Sequence, residues 1–135
     1  RRLQYLRQSR IWQAATLDYT SFPTEIKQIY VPSVIAEGYK ETDCEKATNF
    51  INIFYENDGN GWYKYRQVTV QWNTFLDTEE GDWDSLTIGQ YPGVYINKGE
   101  TGNLWWFDYT YAYQLQGNLS EEEMIAVAES LTEEK

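Results

Sequence analysis

Two β-prone segments flanking a five-residue turn constrain this chain more than any other feature. Residues 47–56 (ATNFINIFYE) are dense in Phe, Ile and Tyr, side chains that suit a pleated, half-buried surface. Asn57-Asp58-Gly59-Asn60-Gly61 follows, and these residue types adopt the positive φ angles of tight turns at low cost. Residues 62–73 (WYKYRQVTVQWN) then alternate Val68, Val70 and Trp72 with Thr69, Gln71 and Asn73, giving one apolar and one polar face. A β-hairpin is expected here, and a lone hairpin is marginal in water, so it needs further strands or a helix to cover its apolar face.

The rest of the chain supplies both. Gly89, Pro92-Gly93, Asn97 with Gly99, Gly102-Asn103 and Gly117-Asn118 punctuate three further stretches, 85–89, 93–98 and 104–116, the last able to split into two strands. The β pattern begins at Tyr39, preceded over 23–38 by an extended connection with a short strand or turn around 29–34. Residues 77–85 (DTEEGDWDS) are expected to form a polar connection. Leu3, Leu6, Ile11, Ala14 and Leu17 recur at helical spacing, and Phe22-Pro23 ends that pattern because Pro forces the preceding residue into extended geometry. Near the C-terminus, Ser120 and Glu123 form a Ser-x-x-Glu capping box, with Leu119 and Met124 placed as a hydrophobic staple. Glu121, Glu122 and Glu123 suit the positive end of that helix's dipole. Met124, Ile125, Val127, Ala128 and Leu131 then make an apolar stripe that requires a sheet to cover it.

These elements predict an α+β fold: an antiparallel β-sheet of five to six strands, a C-terminal helix packed on one face and an N-terminal helix. At 135 residues there is room for one core, so residues 1–20 are expected to be a basic N-terminal helix and 21–135 a single α+β domain. Only 29 residues are Leu, Ile, Val or Phe, and the 12 Tyr and 6 Trp must supply much of the buried area.

Charge and composition exclude several functions. The net charge of −10 argues against nucleic acid, whose phosphates require clustered Lys and Arg. The only uncompensated basic segment is 1–17, which holds Arg1, Arg2, Arg7 and Arg10 and no acid, as a juxtamembrane segment or a solvated helix would. The absence of His removes Ser-His-Asp and Cys-His catalysis and His-ligated metals. The single cysteine, Cys44, removes Cys-cluster metal sites, and its acidic neighbours Asp43 and Glu45 disfavour a thiolate. No apolar run is long enough to cross a bilayer. The first residue is Arg, so the expectation is a fragment of a longer protein whose membrane anchor lies N-terminal to it.

Few residues remain as candidates for chemistry. Glu79, Glu80, Asp82 and Asp84 could provide a hydrolytic carboxylate pair, but such pairs sit on rigid elements, and a solvated acidic loop is the preferred reading of these residues. Asp58-Gly59-Asn60 resembles the start of a calcium loop, but Trp62 and Thr69 occupy ligand positions, and a hairpin turn accounts for the residues. Asn118-Leu119-Ser120 is a formal glycosylation sequon whose Ser the capping box already uses. The aromatic strands are the candidates for ligand binding: Trp62, Tyr63, Tyr65, Trp105, Trp106 and Tyr109, either a core built from Tyr and Trp or a surface that stacks on a ligand. Continuous alternation through 104–116 would send Trp105, Phe107, Tyr109, Tyr111 and Tyr113 to one side and Trp106 to the other. No catalytic residue, metal ligand or cofactor is assigned.

The ordered landmarks resemble the bacterial domain of unknown function 4367. They are Pro32 with Glu37-Gly38-Tyr39, Tyr55-Glu56-Asn57, Asp77-Thr78-Glu79, Ile88-Gly89 with Gly93, and Leu104-Trp105. The closing segment, Tyr113 to Ser120 followed by Glu122-Glu123 and Ala128-Glu129-Ser130-Leu131, is the most specific part, and the likeness spans roughly 22–131. Ala36 departs from it where Pro is expected before Glu-Gly-Tyr. The layout is also remotely similar to the C-terminal domain of periplasmic regulators of envelope-stress sigma factors. What the first resemblance implies is an extracytoplasmic domain of a membrane-anchored bacterial protein, with no assigned catalytic residues. The expected function is a non-enzymatic sensor or interaction domain whose partner is a small molecule, a glycan or a protein. A carbohydrate-binding module using exposed Trp and Tyr is the alternative, and a carboxylate-dependent hydrolase comes third. If an aromatic surface binds ligand, Trp105 or Trp106 should be partly exposed beside a groove.

Overall fold

The computed structural model describes residues 22–70 and 82–134. Within them run β1 (Tyr30–Pro32), β2 (Tyr39–Lys46), β3 (Phe50–Asn57), β4 (Trp62–Thr69), β5 (Asp82–Ile88), β6 (Tyr91–Asn97), β7 (Gly102–Phe107), β8 (Tyr111–Gly117), α1 (Glu121–Ala128) and β9 (Leu131–Glu133). Seven strands form one antiparallel sheet in the order β2-β3-β4-β8-β7-β6-β5, and β1 pairs with β9 in a separate two-stranded sheet. The large sheet is two meanders, β2–β4 and β5–β8, joined where β4 pairs with β8 from Tyr63↔Gly117 to Thr69↔Tyr111.

The expected class and antiparallel sheet are present, with more strands than the five to six anticipated. The β pattern from Tyr39 is two strands, because Ala47 N–H bonds the Phe50 carbonyl (2.8 Å) and turns the chain between β2 and β3. β2 is an edge strand, exposed beyond Tyr39, bulged between Glu41 and Asp43 and rich in charge, features that discourage pairing with another chain. Residues 82–85, expected in a polar connection, begin β5, and 104–116 does split, into β7 and β8. Strand β9 was not anticipated; a three-residue segment needs a partner to be a strand, and its partner β1 lies about a hundred residues earlier. The helix expected over 3–17 lies outside the described residues.

The turn of the β3–β4 hairpin is organised by Asn57, whose Oδ1 accepts from the N–H groups of Gly59 and Gly61, both at 2.9 Å. At this same end of β4, Gly117 of β8 has φ +151°, and a Cβ there would strike the Trp62 carbonyl oxygen and Tyr63 Cα. Only glycine permits β4 and β8 to approach so closely.

One sheet face carries the main core: Ile51, Ile53 and Tyr55 of β3, Tyr63 and Tyr65 of β4, Leu104 and Trp106 of β7, and Tyr111, Tyr113 and Leu115 of β8. Helix α1 covers it with Met124, Val127 and Ala128. The capping box forms as expected, with Glu123 N–H donating to Ser120 Oγ (3.1 Å) and Ser120 N–H to Glu123 Oε1 (2.9 Å). Leu119 and Met124 are both buried. Tyrosine does more here than fill volume. Segment 27–36 crosses this face, mostly as irregular backbone, and its polar groups are met by side chains of the sheet. Lys27, Tyr30 and Ala36 donate their N–H groups to Tyr111 Oη (2.7 Å), Gln67 Oε1 (3.0 Å) and Tyr63 Oη (3.1 Å). The Gln28 carbonyl accepts from Gln67 Nε2 (3.0 Å) and the Tyr30 carbonyl from Tyr65 Oη (2.6 Å). Leucine in place of Tyr63, Tyr65 and Tyr111 would bury comparable area yet remove the partners of the Ala36 N–H, the Tyr30 carbonyl and the Lys27 N–H, at about 1–3 kcal/mol for each group left buried and unpaired.

Candidate functional site: an aromatic pocket with an acidic rim

Trp106 and Tyr113 face each other in the β7–β8 register and stack with ring centroids 5.3 Å apart and planes at 15°. The expected alternation, which separated Trp106 from Tyr113, is corrected. Asp108 to Thr110 reverse the chain, and the reversal restarts the alternation so that the two rings share a face. Asp108 builds this turn: its Oδ1 accepts from the N–H groups of Thr110 (2.9 Å) and Tyr111 (2.7 Å). Its Oδ2 accepts from Tyr113 Oη (2.6 Å), which ties the turn to the aromatic stack. Tyr109, at the tip, takes φ +71°, a costly conformation for a bulky residue.

Around this stack lies a pocket of about 320 Å³, within the size range of small-ligand sites. Trp106 and Tyr113 form its floor, and Tyr30, edge-on to Tyr113 at 6.5 Å, and Tyr91 stand as half-buried walls. Ile88 and Gly89 line it from the β5–β6 turn, and Ala128, Glu129 and Leu131 from the α1–β9 junction. Glu129 Oε2 accepts from Gly89 N–H (3.3 Å), linking these two sides. The electrostatics are acidic. Burial raises the pKa of Tyr113 first, reinforced by the Asp108 charge and by the hydrogen bond to it. Tyr30 is raised by burial, then by Glu133 and Asp108. Both phenols therefore stay neutral.

The expected binding residues divide. Tyr63 and Tyr65 have no exposure, and their hydroxyls serve the backbone of segment 27–36. Trp62 is 37% exposed but sits at the opposite end of the sheet, where its N–H donates to Asn118 Oδ1 (2.9 Å). Trp105 is half-buried on the other sheet face, opposite Gln114 and Val94 in the register. Trp106 is 3% exposed and forms the pocket floor, while Tyr109 is 55% exposed beside the pocket's Tyr91, 6.1 Å between centroids. Of the acids proposed for hydrolysis, Asp84 is exposed on edge strand β5, Asp82 belongs to the same strand, and Glu79 and Glu80 lie outside the described residues. Among the described residues no three Asp, Glu, Cys or His side chains converge as a metal site would need, and no helix is long and apolar enough to cross a membrane.

Sequence reasoning missed Tyr30, Tyr91, Asp108, Tyr113 and Glu129 as pocket residues. Asp108 carried a usable signal, since an Asp followed two residues later by Thr is a side-chain-built turn in the middle of a β-rich run.

An antiparallel sheet, a capped helix across one face and a pocket between turns make this a β-rich domain with a preformed cavity. The chain belongs to the family described as a Domain of unknown function (DUF4367), which matches it over residues 29–131 and so contains every residue lining the pocket. No curated protein and no solved structure matches the chain.

Proposed function

We propose that this chain is a non-enzymatic binding domain whose aromatic pocket accepts a ligand, within the extracytoplasmic part of a membrane-anchored bacterial protein. The observation that carries the reading is the Trp106–Tyr113 stack flooring a pocket framed by three separate chain reversals. Occupancy would cross-link the β5–β6 turn, the β7–β8 turn and the α1–β9 junction, and through β1 it would reach the segment leading back toward the N-terminus. A sensor needs such a connection between its site and the part tied to the membrane. The placement outside the cell and the tether rest on the family resemblance.

The test is tryptophan fluorescence and thermal melting of the whole chain against cell-wall glycans, muropeptides and short lipids. A ligand at 100 times its Kd should add about 2.7 kcal/mol of stability. A saturable response that Tyr91→Ala abolishes is the expected result. A flat response across the panel overturns small-molecule occupancy and leaves a protein partner as the reading to pursue.

A further inference from the structure

We infer that the pocket's occupant is an organic cation, an alkylammonium or guanidinium group seated against the aromatic rings with Asp108 and Glu129 as its counter-charges. This inference rests on the pocket being a ligand site. Three observations lead to it. Four aromatic rings border the cavity, the half-buried Tyr30 and Tyr91 and the nearly buried stack of Trp106 on Tyr113, and aromatic rings attract cations. Among the described residues lining the cavity, the two charged ones are both acidic and none is Lys or Arg. Among the described residues neither carboxylate has a basic partner, for the two ion pairs there are Lys27–Glu25 and Lys46–Glu134, elsewhere on the surface.

The hydrogen bonds around these acids leave room for a ligand. Glu129 uses one oxygen on Gly89 N–H, and its other oxygen has no protein partner among the described residues. Asp108 is held rigidly by Thr110, Tyr111 and Tyr113, so a cation meets a charge already oriented rather than a mobile one. A phosphate or carboxylate ligand would meet like charge with no donor of opposite sign. The chain's net charge of −10 also favours the approach of cations.

The probe is choline, compared with its neutral carbon isostere dimethylbutanol and with butyrate. All are titrated into the full chain at fixed ionic strength and followed by tryptophan fluorescence. The expected result is saturable choline binding with a Kd about tenfold lower than that of the isostere, and no binding of butyrate. Glu129→Gln, a change on the exposed rim, should erase most of that preference. Asp108→Asn keeps an oxygen to accept from Thr110 and Tyr111, and should do the same. Equal binding of choline and dimethylbutanol overturns the inference while upholding the pocket as a ligand site. Choline binding that neither charge variant weakens overturns it as well. Absence of binding by either probe also overturns it, with the wider ligand panel remaining the separate test of the site itself.

Discussion

Two aromatic stacks lie on the same face of the sheet, and they differ in what meets them from above. In the first, Tyr55 and Tyr63 stack at 4.4 Å with Tyr39 edge-on to Tyr63 at 5.1 Å. In the second, Trp106 and Tyr113 stack at 5.3 Å with Tyr30 edge-on to Tyr113 at 6.5 Å. Ring geometry alone does not distinguish them. The first is sealed, and its Tyr63 hydroxyl accepts from the N–H of buried Ala36. The second borders a cavity, and its Tyr113 hydroxyl donates to a carboxylate at the cavity wall. The hydroxyl's partner, backbone amide or acid, therefore separates structural from candidate functional aromatics in this fold.

Alkaline pH should break both stacks and give the largest effect. Burial raises the phenol pKa of Tyr63 and Tyr113 above the ordinary value of 10.0, partly opposed at Tyr63 by the hydrogen bond from Ala36. Tyr55 and Tyr65 are raised by burial as well. A raised folded-state value means that the native state holds its proton more tightly than the unfolded chain. The stabilisation is thus complete below pH 10 and is lost as pH climbs toward the folded-state values. Tyrosinate absorbance and circular dichroism followed together should show ionisation of the buried phenols coinciding with unfolding. Ionisation well before any loss of structure would show that these rings are reached by solvent.

Truncation sharpens the contrast next. Tyr63→Ala empties a sealed site and should cost about 3–5 kcal/mol in urea denaturation. Tyr113→Ala should cost less, because water can enter the space from the adjoining pocket. The reverse order would mean that the pocket side is the better packed of the two. Removing only the hydroxyls is a finer probe. Tyr63→Phe strands the Ala36 N–H and should cost about 1–3 kcal/mol, whereas Tyr113→Phe leaves Asp108 beside the pocket, where water can replace the bond, for about 1 kcal/mol or less. Only the second should alter ligand response. The smallest expected change is Ser120→Ala, about 1 kcal/mol from the lost cap. It weakens a helix that covers the core through Met124 and borders the pocket through Ala128, so it should not discriminate between the stacks.

The capping box was legible because every atom in it lies within four consecutive residues, and the Asn57–Gly61 turn because its hydrogen bonds close within five. The β character of 47–56, 62–73 and 104–116 was legible from residue type. The face of each ring beyond Phe107 was not. The chain reverses at Asp108 through a side-chain-built turn with Tyr109 at positive φ, where glycine would have advertised the reversal. Candidate binding residues chosen for ring type alone therefore mixed core Tyr63 and Tyr65 with pocket Trp106.

The sequence by itself determined an antiparallel, turn-punctuated sheet with a capped C-terminal helix, an acidic chain without the side chains for histidine or cysteine-cluster chemistry, and the family to which it belongs. Such properties follow from local propensity and from residue chemistry, which need no knowledge of distant neighbours. Only the tertiary structure decided that β1 meets β9, that the sheet order runs β4 to β8, and that Tyr30, Tyr91, Trp106, Asp108, Tyr113 and Glu129 share one cavity. Those residues are brought together by strand register and chain reversal, and a long-range pairing is settled by the packing of whole elements rather than by any segment alone.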